Sequence, residues 1–123
     1  MDEKAGRIRD YRDLIVWQEA MEIARLAYVF TREFPREEAF GLTSQIRRSA
    51  ASIPANIAEG FGRAQRKSFI QFLRVAQGSL KELETHLILA NQVELLQSEP
   101  YEELFDRRIV GHQDLAQARE VGQ

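Results

Sequence analysis

Only two histidines, His86 and His112, occur in the chain, and there is no cysteine. The histidines stand alone, without a second histidine or a carboxylate at a spacing that selects a metal, so no metal site is predicted. Without cysteine there are no disulfides, thiolate nucleophiles, Cys-ligated zinc sites or iron–sulfur clusters. Glu82 and Glu84 point to different sides of their predicted helix and do not form a carboxylate pair for acid–base work. Gly60-Phe61-Gly62 is not followed by the Lys and Ser/Thr of a phosphate-cradling loop. No nucleophile elbow or dinucleotide fingerprint appears elsewhere. The residue types predict neither a catalytic group nor a cofactor.

What remains is a set of cations and hydrogen-bonding side chains. Between Phe40 and Lys67, Gln45, Arg48, Ser52, Asn56, Glu59 and Arg63 recur at helical spacing, with Arg47 beside Arg48. Arg47, Arg48, Ser52, Asn56 and Glu59 are predicted to form a structural polar network or interface that fixes packing partners rather than performs chemistry. On the opposite face, Leu42, Ile46, Ala50, Ile53, Ile57 and Phe61 step by three or four and form an apolar seam. Ser49, Ala50, Ala51, Ser52, Ala55 and Ala58 are small enough for neighbouring backbones to come close. An apolar seam on one side and a polar row on the other give this helix two sets of neighbours.

Four helices position these groups. Asp10 or Asp13 is expected to cap the first, whose face reads Leu14, Trp17, Met21, Ala24 and Tyr28, widened by Ile15, Ala20, Ala27 and Phe30. It should end near Arg32, because Phe34-Pro35 does not continue a helix. Pro54 falls inside the second helix, where it costs about 3 kcal/mol in isolation. The apolar phase is kept from Ile46 to Ile57, which favours one helix kinked at Pro54, stopped by Gly60 and Gly62. The third helix, from about Arg66 to Gln92, carries Phe69, Leu73, Ala76, Leu80, Leu83, Leu87 and Ala90 in coiled-coil-like alternation. Ile70, Phe72 and Ile88 extend its apolar surface, and Gly78 suits close approach of another backbone. Leu95 and Leu96 are expected to close the core, Ser98 to cap a fourth helix, and Tyr101, Leu104, Phe105, Ile109, His112 and Leu115 to form its weaker face. No hairpin signal competes. The predicted fold is all-α, an antiparallel up-down-up-down four-helix bundle, with residues 1–10 a flexible tail and 11–119 one domain.

The 123 residues suit one core, with 44% hydrophobic and 29% charged residues. A net charge of −2 does not describe a protein coated in positive charge for nucleic acid. The bundle nonetheless polarises its charges. One pole gathers Arg7, Arg9, Arg12, Arg63, Arg66, Lys67 and Arg119; the other holds Glu33, Glu37, Glu38, Glu94, Glu99, Glu102 and Glu103. Arg9, Arg12, Arg63, Arg66 and Lys67 are the candidate contacts to RNA or DNA phosphates, unless they are only solvated helix-end charges. The start, MDEKAGRIRDYRD, lacks the apolar core of a signal peptide, and no apolar run suits a membrane span. A cytoplasmic protein without a membrane partner is expected.

The segments DLIVWQEAMEIA, FPREEAFGLTSQIRRSAASIPANIAEGFGR and FLRVAQGSLKELETHLILA cover most of residues 11–96. They resemble a bacterial family known as the four-helix bundle proteins, encoded in intervening sequences of 23S ribosomal RNA genes. More distantly, the chain is similar to the accessory proteins of diversity-generating retroelements, pentamers that bind nucleic acid and a reverse transcriptase. The resemblance implies a kink at Pro54 and a ring-shaped homopentamer, and it implies no defined activity. The expected role is non-catalytic: an oligomeric bundle binding RNA or DNA through its basic pole. The alternatives are a scaffold for a protein partner that never touches nucleic acid, and a small-molecule pocket within the oligomer.

Overall fold

The structure, a computed structural model, describes residues 8–99 and 101–103. Asp10 opens it with a capping box. Its carboxylate accepts from the Arg12 backbone N–H at 2.8 Å, and Asp13 Oδ2 accepts from those of Arg9 and Asp10 at 2.9 and 3.2 Å. These bonds close a short 3-10 turn, Tyr11–Asp13. Helix α1 (Ile15–Thr31) follows with Leu14 at its N-cap and no side-chain cap. The predicted aspartate cap therefore serves the turn before the helix.

Thr31 ends α1, Phe34 is buried, and a second 3-10 turn, Arg36–Glu38, leads to helix α2 (Leu42–Gly62). Glu38 Oε1 accepts from the Leu42 N–H at 3.1 Å, satisfying one of the free donors at the start of α2. Helix α2 continues through Pro54 for 21 residues. Ile46, Ala50, Ile53 and Ile57 are at most 2% exposed, as their spacing requires. The helix ends at Gly62 as expected, but Gly60 lies inside its last turn and neither glycine takes a positive φ. The stop is Ala64, whose φ of 58° places a non-glycine residue in the left-handed region. Gly60 is instead a packing residue: a Cβ there would lie 2.5 Å from Phe72 Cβ.

Helix α3 (Arg66–Gln92) returns antiparallel to α2 and buries all seven residues of its predicted seam. Phe61 and Phe69 meet edge-on at 5.9 Å across the turn. At the far end Glu94 has φ 64°, the N–H groups of Leu95 and Leu96 both donate to the Ala90 carbonyl, and Leu96 is buried. Gly78 is exposed, and nothing described approaches within 4 Å of where its Cβ would lie. The close approach expected there is not made among the described residues.

Helix α2 packs against both α1 and α3, which lie apart from each other. Ile23, Ile46, Ile53, Ile57, Leu73, Leu80, Leu83 and Leu87 are the largest side chains removed from water. Each contributes about 1.5–3 kcal/mol before chain entropy is counted. The buried face of α1 is Val16, Ala20, Ile23, Ala24, Leu26 and Ala27, rotated from the predicted one. Ile15, Met21 and Tyr28 are exposed, and Trp17 is only half-buried. This helix is apolar around most of its circumference, so periodicity alone did not select the core side.

A further helical segment includes Ser98, Glu99 and Tyr101–Glu103. The Tyr101 N–H donates to Gln97, so Gln97 rather than Ser98 holds the capping position. Leu104, Phe105, Ile109, His112 and Leu115 of the predicted fourth-helix face lie outside the described residues, as do Arg7 and Arg119. Among the described residues there is no strand, and no helix is long and apolar enough to cross a membrane.

Candidate functional site

The two flanks of α2 use its polar residues differently. Toward α3, Ser52 and Ser79 share a hydrogen bond of 2.7 Å between their hydroxyl oxygens. Asn56 Nδ2 donates to the Ser52 carbonyl at 2.8 Å and to its hydroxyl at 2.9 Å. Toward α1, Arg47 Nε donates to Thr31 Oγ1 at 2.8 Å and Nη2 to the Tyr28 carbonyl at 3.4 Å. Its guanidinium also lies 4.6 Å from the Tyr28 ring centroid, a cation–π contact. Of the residues predicted to share one polar network, the structure joins Ser52 with Asn56. Arg47 belongs to the α1 contact, and Glu59 lies 4.0 Å from Arg63 near the helix end. Arg48 makes no ion pair or hydrogen bond to the described residues.

Arg47 and Arg48 line a cleft of about 700 Å³ at the first half of α2. Thr43, Ser44 and Tyr28 share its wall, and Glu82 approaches from α3. Glu82 Oε1 is 3.5 Å from His86 Nε2, too long for a firm hydrogen bond, so His86 does have a carboxylate neighbour. The i,i+4 spacing of Glu82 and His86 was the sequence signal for that contact. Two groups do not make a metal centre, and no cluster of three potential ligands occurs among the described residues.

The cations Arg63, Arg66 and Lys67 are exposed around the turn joining α2 to α3. Tyr11 shares a cleft with Ala58, which brings the chain's start to this same end of the molecule. Arg9 and Arg12 therefore belong to this end. They are not equally available. Arg12 holds the Asp10 carboxylate at 2.7 Å, and that bond draws the Asp10 pKa below its ordinary value. Arg63 rests 5.3 Å from the Phe72 ring centroid and near Glu59, whereas Arg66 and Lys67 have no partner among the described residues.

A second, mostly apolar cleft of about 450 Å³ runs between the outer sides of α1 and α2. Trp17, Met21 and Tyr28 form one wall; Ala51, Pro54, Ala55 and Ala58 form the other. Sequence reasoning assigned the aromatic wall to the core. The small residues of α2 were legible, and it is they that leave the cleft open. Phe40, in the loop before α2, is 100% exposed.

These features define an all-helical bundle with open polar and apolar clefts along its central helix and no assembled catalytic constellation among the described residues. The chain belongs to the 23S rRNA-intervening sequence protein family, whose model matches residues 12–109. It is also similar, at 28% identity and a TM-score of 0.76, to a solved protein of unknown function from Bacteroides thetaiotaomicron VPI-5482, of the S23 ribosomal protein family. That likeness covers 85% of this chain and 97% of the other. No curated protein matches the chain.

Proposed function

We propose that this protein is a non-catalytic, self-associating bundle of the cytoplasm that engages RNA or DNA phosphates through the α2–α3 turn. The observation that supports self-association is the apolar cleft between Trp17, Met21 and Tyr28 and the small residues Ala51, Pro54, Ala55 and Ala58, open among the described residues. An apolar surface of this kind in contact with water is stabilised by covering it. The arrangement implied by the family resemblance is a ring-shaped homopentamer with α2 kinked at Pro54. Such a ring needs two different surfaces per chain. The outward side of α3, with Val75 and Leu89 exposed, offers the second. Closing the ring repeats Arg66 and Lys67 at regular intervals, and each phosphate contact adds salt-dependent affinity.

Light scattering with and without mixed RNA tests both parts. The expected particle has about five times the 14.2 kDa chain mass, gains mass with RNA at low salt and loses that gain at high salt. Arg66→Glu with Lys67→Glu should abolish the RNA gain and leave the particle mass unchanged. A stable monomer would overturn the proposal. One observation favours a second reading, a scaffold for a protein partner without nucleic acid. Two of the five candidate phosphate contacts, Arg12 and Arg63, already face carboxylates. An oligomer indifferent to RNA at low salt would select it.

A further inference from the structure

We infer that the cleft around Arg47 and Arg48 is a binding site for a phosphate dianion, free or carried as the monoester of a small molecule. The consecutive residues Arg47 and Arg48 line the same concavity, and neither forms an ion pair with a described carboxylate. Burial of charge without a counter-ion is unfavourable, and Arg47 is half-buried. It is held in place by Thr31, the Tyr28 carbonyl and the Tyr28 ring, which occupy one edge and one face of its guanidinium. Its remaining donors make no hydrogen bond to the described residues and are held in a fixed orientation, as oxyanion recognition requires. Arg48 makes no hydrogen bond or ion pair to the described residues. The hydroxyls of Thr43 and Ser44 on the same wall make no hydrogen bond to the described residues and add two neutral donors.

The charge count identifies the ligand class. Two cations match a phosphate monoester, which carries about −1.5 to −2 at neutral pH, better than a singly charged phosphodiester or carboxylate. Glu82 is the one carboxylate on the lining; its Oε1 lies toward His86, and it forms no ion pair with either arginine. The site is also distant from the proposed nucleic-acid contacts. Arg48 and Arg63 are 15 residues apart on α2, about 22 Å at 1.5 Å per residue. A ligand here acts independently of the α2–α3 turn.

The test is calorimetric titration of the full chain with inorganic phosphate, with adenosine 5′-monophosphate, and with a dinucleoside monophosphate that has one diester and no terminal phosphate. Inorganic phosphate, the nucleotide or both should bind saturably, at least tenfold more tightly than the diester. Arg48→Gln should weaken that binding about tenfold or more, from the loss of a charge-assisted donor set. Arg66→Gln should leave it unchanged. Arg48 is exposed and has no partner among the described residues, so its substitution leaves the fold intact, verifiable by an unaltered melting transition. Equal affinity for inorganic phosphate and nucleotide identifies the free ion as ligand. Tighter nucleotide binding places an organic group against the cleft wall. No saturable binding of either dianion, equal binding by the diester, or full affinity in Arg48→Gln would overturn the assignment.

Discussion

Replacing Gly60 with Ala should destabilise this protein even though alanine is the better helix former. The added Cβ would lie 2.5 Å from Phe72 Cβ, 3.2 Å from Phe72 Cγ and 3.3 Å from Phe69 Cδ1. The nearest of these atoms is fixed to the α3 backbone, so no rotamer change moves it away. Relief requires α2 and α3 to separate, which loosens the contact that buries Ile57 and Leu73. Overpacking of this kind costs about 1–3 kcal/mol. The helix-propensity gain is at most about 1 kcal/mol and less in a last turn, so a net loss of about 1–2 kcal/mol is expected. For a chain of this length that corresponds to a fall in Tm of about 3–10 °C. Urea unfolding at one fixed chain concentration, with an unchanged slope, measures it directly. Gly62→Ala is the control, because nothing described lies within 4 Å of its Cβ position, and it should be neutral or slightly stabilising. Phe72→Ala should not rescue Gly60→Ala, since the obstructing atom is retained. A Gly60→Ala midpoint equal to or above that of the parent would refute the reasoning.

Gly78→Ala, in the exposed middle of α3, should stabilise the chain by up to about 1 kcal/mol in the same unfolding measurement. Ala64→Gly should raise stability by about 1 kcal/mol, because glycine adopts the φ of 58° at the end of α2 without a Cβ penalty. The Asp10 carboxyl should titrate below the ordinary aspartate value by NMR, since the Arg12 side chain and backbone N–H hydrogen-bond to its charged form. Its folded pKa is depressed, so its stabilising effect is present above the unfolded value and lost as pH falls through the folded one. Asp10→Asn should flatten the acid limb of stability in that window.

The buried seams of α2 and α3 were readable because each keeps a strict spacing of three and four residues. Ile46, Ala50, Ile53 and Ile57 admit one inward orientation, as do Leu73, Leu80 and Leu87. Helix α1 lacked that strictness. With apolar residues at 14–17, 20, 21, 23, 24 and 26–30, several faces satisfy the periodicity, and packing against α2 decides between them. Gly60 read as a stop because glycine is common at helix ends; its packing role depends on Phe72, which is distant in sequence. Within the candidate site, residue types identified the polar members of α2 but not their destinations. Arg47 and Arg48 are adjacent, and a rotation of about 100° between them sends one to α1 and leaves the other open. His86 has Glu82 one helical turn before it, a relation the i,i+4 spacing of the chain itself displays.

The outward row of α2 carries the remaining problem of this fold. Its inward face closes the core, Arg47 ties it to α1, and Ser52 with Asn56 ties it to α3. Those contacts account for the helix within one bundle, yet Ala51, Ala55 and Arg48 lie outside all of them. A helix that only needed a solvated outer face is served by long charged residues, which cover apolar surface and keep copies apart. Alanines at 51 and 55 do the opposite, lowering the ridge of α2 and opening the clefts on either side. Lengthening the row therefore separates bundle stability from surface function. Ala55→Glu should preserve folding, since the site is exposed, while placing a charge in the apolar cleft beside Pro54. If copies meet through that cleft, the variant folds normally by circular dichroism and its particle mass falls. If particle mass is unaltered, the assembly surface lies elsewhere, and the open row of α2 is left to a ligand such as the phosphate inferred at Arg48.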